Sequence, residues 1–416
     1  MSLKIRHTAA EAVHTHPVSQ GISGSRNVTK DPGEQLISCS PQVEGHGDLR
    51  RRYCGALFAI VLLLGACGKP VARPASNPTT STAPTTSNNA VIKAKSQRVL
   101  QDAVKAGGPG CSAAVGSKGA VVWTGVLGVA DTATGAEITP DTVFDIGSLS
   151  KQFTATAVLL LADEGKLTLD DPLPKYLPEF PKWAATVTVA ELIHQTSGIP
   201  EYEGLLGSQG FQFSDRTTQD QALQALAAVA NLHFKPGTQF AYSGSNYLLL
   251  GEIVHRVSGE PLPQFLSANI FRPLDLAMVM DPVGQIPHKA VSYAGGNDGY
   301  RVTSSAWEQI GDGAVQATSS QLVQWADNYR TGRVGGPKLL DEQLAGAVEI
   351  GPGVAVRYGA GIYIKADGTL DHDGAWAGYV TAFHVSKDRL TSVAVSCNTD
   401  DQIPEALAES IGKLWM

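Results

Sequence analysis

Ser148 and Lys151 form an S-x-x-K pair at the start of a strongly apolar stretch of the chain. Side chains three residues apart lie on one face of a helix, so a helix over residues 148–162 would place the hydroxyl beside the amine. A serine hydroxyl needs a neighbouring base or charge to act as a nucleophile, and a buried lysine can serve when its pKa is lowered. Because any long chain can contain this pair by chance, it indicates covalent catalysis only if further motifs accompany it.

Two later segments contain the other groups that such chemistry needs. Tyr242 lies in the segment FKPGTQFAYSGSNY, before an apolar helical pattern, and His372 begins the segment HDGAWAGY, between two strand-like runs. Taken singly, each would more often be structural, because perturbed active-site groups are rare. Together, the order S-x-x-K, then Y-x-N, then K-T-G or H-x-G is typical of serine β-lactamases and penicillin-binding proteins.

The chain resembles the class C-like, β-lactamase-related serine hydrolases over nearly all of residues 91–416. That group includes D-alanyl-D-alanine carboxypeptidases, D-aminopeptidases and esterases. Supporting segments are LIHQTSGIP at 192–200, FRPL at 271–274 and GDG at 311–313. The resemblance implies a serine hydrolase that forms an acyl-enzyme at Ser148 and needs no metal or organic cofactor.

The resemblance also implies a role for each motif residue. Ser148 matches the acylated serine, Lys151 the lysine beside it, and Tyr242 the tyrosine that shuttles a proton. Either Lys151 or Tyr242 could be the general base, since a nearby ammonium would lower the tyrosine pKa from its usual value near 10. The backbone N–H groups of Ser148 and Ala375 would form the oxyanion hole, and Gly374 would let the strand pass close to the substrate.

Two departures from the family pattern bear on the substrate. Gly244 stands where Y-x-N has its asparagine, and Asn246 lies two residues further on. His372 stands where β-lactamases usually have a lysine, and a histidine is mostly uncharged at neutral pH. We expect His372, Gly374, Gly244 and Asn246 to contact substrate, with weak binding of carboxylates. This favours an esterase or a broad hydrolase of esters and amides over an efficient β-lactamase.

Two other functions remain open at this point. One is that of a D-alanyl-D-alanine carboxypeptidase, a D-aminopeptidase or a class C-like β-lactamase. The other is that of a non-catalytic sensor of cell-wall fragments, although the presence of Ser148, Lys151 and Tyr242 together argues against it. A small-molecule or peptidoglycan-derived substrate is the expected partner. A net charge of −7 argues against nucleic acid, which needs a dense basic surface.

Strand-like and helical patterns are distributed unevenly along the chain. Strand-like runs occur at 112–115, 120–126, 355–365, 379–385 and 390–397, and terminal helical patterns at 91–106 and 403–415. The region from about 166 to 340 alternates helical patterns with loops rich in proline and glycine. We therefore predict an α+β fold, with an antiparallel sheet built from both chain ends, flanked by helices, and an inserted all-helical lobe.

Two cysteines, Cys111 and Cys397, fall in the region predicted to fold. In the fold that the resemblance implies, the first strand lies antiparallel beside the last, and these residues open the first strand and close the last. An oxidising compartment permits a bond between them. We predict a Cys111–Cys397 disulfide, the alternative being two buried thiols.

The N-terminal part of the chain predicts export. Residues 1–48 are polar and aperiodic, which indicates a disordered or non-native extension. Residues 49–67 contain three arginines followed by a short apolar run ending in LGAC, which is typical of a lipoprotein signal peptide with Cys67 as the lipidated residue. Residues 68–90, rich in Pro, Thr and Ser, predict an unfolded tether. We expect a membrane-anchored lipoprotein in the periplasm or at the cell surface, with its hydrolase domain at 91–416.

Overall fold

The computed structural model of this chain describes residues 85–105, 107–296 and 299–416, with side chains described from residue 89 onward. The predicted extension, the predicted signal peptide with Cys67 and most of the predicted tether lie outside these ranges. None of the helices in the described ranges is both long and apolar enough to span a membrane. The described ranges correspond to the predicted hydrolase domain.

Eight of the strands form one antiparallel sheet, in the spatial order β10-β11-β12-β13-β14-β15-β1-β2. The strands are β1 (Cys111–Ser117), β2 (Ala120–Leu127), β3 (Val129–Asp131), β4 (Ala136–Glu137), β5 (Phe144–Asp145), β6 (Val279–Met280), β7 (Ser292–Ala294), β8 (Arg301–Thr303), β9 (Val315–Ala317), β10 (Val348–Glu349), β11 (Val356–Tyr358), β12 (Tyr363–Lys365), β13 (Leu370–Trp376), β14 (Tyr379–Val385) and β15 (Thr391–Cys397). Both ends of the chain contribute to this sheet, and the α+β prediction is confirmed.

Helices pack against the sheet, and most of them come from the part of the chain between β2 and β10. They are α1 (Thr85–Ala103), α2 (Lys151–Asp163), α3 (Val189–Ile193), α4 (Tyr202–Ser208), α5 (Gln219–Ala227), α6 (Gly244–Ser258), α7 (Leu262–Leu266), α8 (Ser319–Ala326), α9 (Asn328–Thr331), α10 (Gly336–Leu344) and α11 (Pro404–Trp415). A short 3-10 turn, Gly147–Ser150, leads into α2. The helix predicted at 91–106 begins earlier, at Thr85, because a helix that has nucleated extends through polar residues at little cost.

The main sheet is buried on both faces. Ala113 and Val115 of β1 pack in one cluster with Leu407 of α11, whereas Ala114 belongs to a larger core that includes Val323 of α8. Successive side chains of a strand point to opposite faces, so a strand buried on both sides reads as a continuous apolar run. The sheet is therefore an internal layer of the domain, with helices packed on both of its faces.

The disulfide prediction is confirmed. Cys111 and Cys397 are cross-strand partners in the β1–β15 ladder, and their sulfur atoms are bonded, with the Cα atoms 4.0 Å apart. Both residues are fully buried. The bond closes a loop of nearly the whole domain, joining its first strand to its last.

Two expectations about the strands were wrong. The middle of the chain is not all helical, because β6 to β9 lie within it; these strands of two or three residues are too short to show alternation in the sequence. The H-x-G segment, expected between strands, lies on strand β13. Its run of polar residues and glycine disfavours a strand by propensity, but pairing with β14 along its whole length overrides that preference.

Candidate active site

Ser148 and Lys151 are adjacent at the start of α2, as their spacing predicts. Lys151 Nζ lies 2.9 Å from Ser148 Oγ and donates a second hydrogen bond, 2.7 Å long, to the Asp312 carbonyl oxygen. Burial lowers the pKa of Lys151, and the nearby carboxyls of Asp312 and Glu201 oppose that effect. An amine held in this way can accept the serine proton.

The turn that carries Ser148 is fixed by buried polar contacts. Asp145 accepts hydrogen bonds from the Gly147 N–H, 2.9 Å away, and from the Gln316 side chain, 2.8 Å away. Gly147 has a φ of +52°, in the left-handed region that favours glycine. Ser150 is buried and accepts from the Val315 N–H, so this second serine of the segment is structural.

Tyr242 lies against the same amine. Its ring centroid is 5.0 Å from Lys151 Nζ. Burial raises the pKa of Tyr242 well above its usual value, and a hydrogen bond with Ser148 opposes the rise only in part. The expectation that a nearby ammonium lowers this pKa was therefore wrong, because removing a phenolate from water outweighs that attraction. Tyr242 is thus a neutral phenol that can deliver a proton.

Strand β13 passes extremely close to the nucleophile. A Cβ atom at Gly374 would lie 2.0 Å from the Ile146 carbonyl oxygen and 3.0 Å from the Ser148 nitrogen, and one at Gly147 would lie 2.7 Å from the Ala375 nitrogen. Two backbones can approach in this way only where both have glycine. The amides of Ser148 and Ala375, expected to form the oxyanion hole, therefore come from neighbouring backbones at one place.

His372 is buried among aromatic rings beside Tyr242. Its Nδ1 lies 2.6 Å from the Asp373 carbonyl oxygen and its Nε2 lies 3.4 Å from the Tyr358 hydroxyl. Burial lowers the pKa of His372 to about 4, because desolvation disfavours the imidazolium. The ring is neutral at physiological pH and provides no positive charge for a carboxylate.

Carboxyl groups occupy the position where the family motif has an asparagine side chain. The Gly244 N–H donates to Glu201, 2.6 Å away. A Cβ at Gly244 would lie 2.7 Å from Asp312 Oδ2 and 3.1 Å from Glu201 Oε1. Gly244 is therefore not a motif that has merely lost its amide, because acidic side chains fill the space instead.

A third carboxyl, that of Glu203, lies within electrostatic range of the first two. Burial and the charges of Glu201 and Asp312 raise the pKa of Glu203 to about 8. Glu203 is half-buried and forms no hydrogen bond or ion pair within the described part of the chain. We call Glu201, Glu203 and Asp312 the carboxyl cluster of the site. Burial also raises the pKa of Glu201 and of Asp312. All three acids interact electrostatically with Lys151, so the described site has more acidic groups than amines beside the nucleophile.

Asn246 does not take the role expected of it. It is buried, its Oδ1 accepts from the Ser197 hydroxyl and its Nδ2 donates to Gln195 Oε1. Both ends of the amide are used inside the protein, which argues against a substrate contact. Asn246 instead links the start of α6 to the loop after α3.

The motifs of the sequence do not predict the carboxyl cluster. Asp312 lies within the family-like GDG segment, whereas Glu201 and Glu203 lie outside the family-like segments. The available signal is two glutamates that flank a tyrosine directly after the TSGIP segment. Acidic residues in a loop usually lie in solvent, so only their positions in the fold mark them.

Comparison with known proteins agrees with this geometry. The family model described as Beta-lactamase matches residues 96–412. The chain belongs to the beta-lactamase family. This family member is 28% identical over 297 residues to a D-aminopeptidase of Brucella anthropi, a match that covers 69% of the chain and 56% of that relative. The chain thus spans little more than half of that relative's length.

This beta-lactamase family member is also similar to a penicillin-binding protein and to an amidohydrolase. A putative penicillin-binding protein of Bacillus subtilis is 28% identical over 284 residues, covering 67% of this chain and 68% of that protein. The crystal structure of a D-stereospecific amidohydrolase from a Streptomyces species superposes with a TM-score of 0.63 at 26% identity, covering 74% of this chain and 94% of the other. The chain is therefore a hydrolase of the beta-lactamase family.

Proposed function

We propose that this enzyme hydrolyses amides and esters of amino acids that keep a free amino group, with D-amino acids as the favoured acyl residues. The observation that carries this proposal is the carboxyl cluster beside the Ser148–Lys151 pair, which consists of Glu201, Glu203 and Asp312. A substrate ammonium placed there would lower the pKa of these buried acids and would pair with their ionised form. Charge-assisted hydrogen bonds of this kind are about twice as strong as neutral ones.

The same residues support a complete acylation step. Neutral Lys151 accepts the Ser148 proton as Oγ bonds to the substrate carbonyl carbon, and the N–H groups of Ser148 and Ala375 stabilise the negative oxygen that forms. When the carbonyl re-forms, the bond to the leaving amine or alcohol breaks, and Tyr242 donates a proton to it. The proton on Lys151 then returns to Tyr242.

Deacylation repeats these transfers with water as the nucleophile. Water attacks the acyl carbon, its proton is removed through Lys151 and Tyr242, and Ser148 recovers its own proton as the free amino acid leaves. A substrate ammonium among the acids has a further effect, because a second positive charge lowers the pKa of Lys151. An amine-bearing substrate would thereby favour the neutral base that it needs.

The alternatives within the family fit the site less well. β-Lactams and D-alanyl-D-alanine peptides present a carboxylate, which the buried, neutral His372 does not attract. The acids of the carboxyl cluster would repel a substrate carboxylate placed near them. Two of the similar proteins, the D-aminopeptidase and the D-stereospecific amidohydrolase, carry names that match an amine-bearing, D-configured substrate, and that correspondence supports the configuration proposed here.

The amine requirement is testable with paired substrates. We expect kcat/KM for D-alanine p-nitroanilide to exceed that for its N-acetyl form by about 100-fold, since losing one partner of a buried charge pair costs about 2–5 kcal/mol. Because the Glu203 pKa is raised to about 8, its ionised form increases as the pH rises from 6 to 8. Above that the substrate amine loses its proton, so the advantage should be greatest near pH 8.

The variant Glu203→Gln should reduce the amine preference and flatten its pH dependence. The matched control is Glu349→Gln, at an exposed position on β10, which should change neither. L-Alanine p-nitroanilide tests the configuration in parallel. Equal rates on the free and acetylated substrates would overturn the amine proposal, and faster turnover of simple p-nitrophenyl esters would then favour an esterase.

We also propose that the protein is exported and anchored to a membrane by a lipid on Cys67. The Cys111–Cys397 disulfide supports export, since such bonds persist in oxidising compartments. We expect Cys67→Ser to move the protein from the membrane fraction to the soluble exported fraction, whereas the control Cys54→Ser stays with membranes. A Cys67→Ser protein that remains in the membrane fraction would refute lipid anchoring at this residue.

A further inference from the structure

Three aromatic rings form a cluster directly beside the proposed oxyanion hole. The Phe213 ring centroid lies 5.2 Å from that of Trp376, in a T-shaped arrangement, and 5.1 Å from that of Trp307. Trp376 immediately follows Ala375 on β13. We call Phe213, Trp307 and Trp376 the aromatic cluster.

The cluster joins the main sheet to the helical lobe. Trp376 belongs to the main sheet, whereas Phe213 and Trp307 come from loops of the helical lobe. The Phe213 backbone is held by a hydrogen bond from the Ala306 N–H, and the Trp307 indole donates to the Gln212 carbonyl oxygen, 2.8 Å in both cases. These bonds hold the Trp307 indole and the Phe213 backbone, and the Phe213 ring packs between the two tryptophans.

The cluster also leaves apolar surface uncovered. Phe213 is 45% exposed, although Trp307 beneath it is only 3% exposed. Removing the surface of a large apolar side chain from water has a favourable free energy. The Phe213 ring packs against two tryptophans and is still 45% exposed, so a substrate group that covers it would gain that energy.

The position of the cluster indicates which part of a substrate it would meet. Tyr202 joins the aromatic cluster to the carboxyl cluster. Its ring centroid lies 6.4 Å from that of Trp307, and its hydroxyl donates to Asp312 Oδ2, 3.3 Å away. In an amino acid the amino group and the side chain share one Cα. A residue whose ammonium reaches the acids therefore carries its side chain on the same side of Ser148.

We propose that the aromatic cluster is the subsite for the side chain of the acyl residue, and that it takes an aromatic or large apolar group. This inference deepens the proposed function and rests on acylation of Ser148. Phe213 and Trp376 would contact the bound side chain, and Trp307 would support both rings. The cluster is then a specificity determinant in addition to a contact between lobes.

The side-chain preference can be measured with and without the amino group. We expect kcat/KM for D-phenylalanine p-nitroanilide to exceed that for the D-alanine compound by on the order of 10- to 100-fold, the discrimination that apolar pockets give. The esters p-nitrophenyl 3-phenylpropanoate and p-nitrophenyl propanoate should show the same order. Because these esters lack an amine, a preference seen in them alone would support the subsite and contradict the amine proposal.

Phe213→Ala tests the residue itself. It should reduce the phenyl preference at least fivefold in both substrate series, whereas Val121→Ala, an exposed apolar position on β2, should leave that preference unchanged. Binding of D-phenylalaninamide and D-alaninamide to the Ser148→Ala protein, followed by tryptophan fluorescence, gives a readout that needs no turnover. An unchanged phenyl preference in Phe213→Ala, or equal binding of the two amides, would overturn the subsite and leave the cluster a purely structural contact.

Discussion

Ser148→Ala should lower kcat/KM on every hydrolysed substrate by about 10,000-fold or more. Ser148 Oγ lies 2.9 Å from the Lys151 amine and is the atom that bonds to the substrate carbonyl carbon in the proposed mechanism, so the acyl-enzyme cannot form without it. Loss of the nucleophile in other serine hydrolases has an effect of this order, with a residual rate from binding and the oxyanion hole. Steady-state rates with an amide and an ester, together with labelling by a fluorophosphonate, measure the effect.

The control for this variant is Ser208→Ala. Ser208 is exposed at the end of α4 and donates only to the Leu205 carbonyl oxygen, so its loss should change neither labelling nor rate. Labelling that persists in Ser148→Ala would contradict the acyl-enzyme proposal. A wild-type protein that neither reacts with the probe nor turns over any substrate would instead favour the sensor.

Gly374→Ala should reduce kcat by about 1,000-fold while the domain remains folded. The added Cβ would lie 2.0 Å from the Ile146 carbonyl oxygen and 3.0 Å from the Ser148 nitrogen, and backbone atoms cannot move aside as a flexible side chain can. Strand β13 would have to shift away from the Ser148 turn. Separating the two oxyanion donors costs about 100- to 1,000-fold for the loss of one donor alone.

The matched control is Gly207→Ala. Gly207 lies within α4 with nothing within 4 Å of the added Cβ, so alanine should be neutral or slightly stabilising there. Circular dichroism and thermal unfolding should show both variants folded, with Gly374→Ala less stable by about 1–3 kcal/mol from overpacking. Activity of Gly374→Ala within threefold of the wild type would remove Ala375 from the oxyanion hole.

The change at Gly244 shows how one position can alter the substrate class. The family's asparagine offers an amide to a substrate amide, whereas here Glu201 and Asp312 occupy that volume. An asparagine side chain could not coexist with them, so glycine and the acids belong together. Under the proposed function, the substrate group that binds here is one that donates hydrogen bonds, above all an ammonium, rather than the acylamino group of a β-lactam.

Local sequence was sufficient for several parts of the site. The i, i+3 spacing of Ser148 and Lys151 places them on one helical face wherever the helix lies, and the structure joins them at 2.9 Å. The order of motifs also brought Tyr242 to the same amine. The Cys111–Cys397 bond was predicted from the strand order that the family resemblance implies, because cross-strand neighbours lie close enough to bond.

Other properties depended on packing that no local pattern encodes. Burial decided that the pKa of Tyr242 rises and that of His372 falls, since desolvation depends on every residue that surrounds a group. The strand β13 formed against its own propensities because β14 pairs with it. Asn246, next to a motif in sequence, was used by Gln195 and Ser197 from another loop.

The sequence by itself predicted the nucleophile and the amine beside it from a short spacing and the motif order, whereas the order of the strands came from the family resemblance. Only the tertiary structure decided the chemistry around them. Glu201 and Asp312 are more than a hundred residues apart, and the aromatic cluster draws on residues 213, 307 and 376. Long-range contacts of this kind form only when the helical lobe packs against the sheet, and they set both the charge and the shape of the surroundings of Ser148.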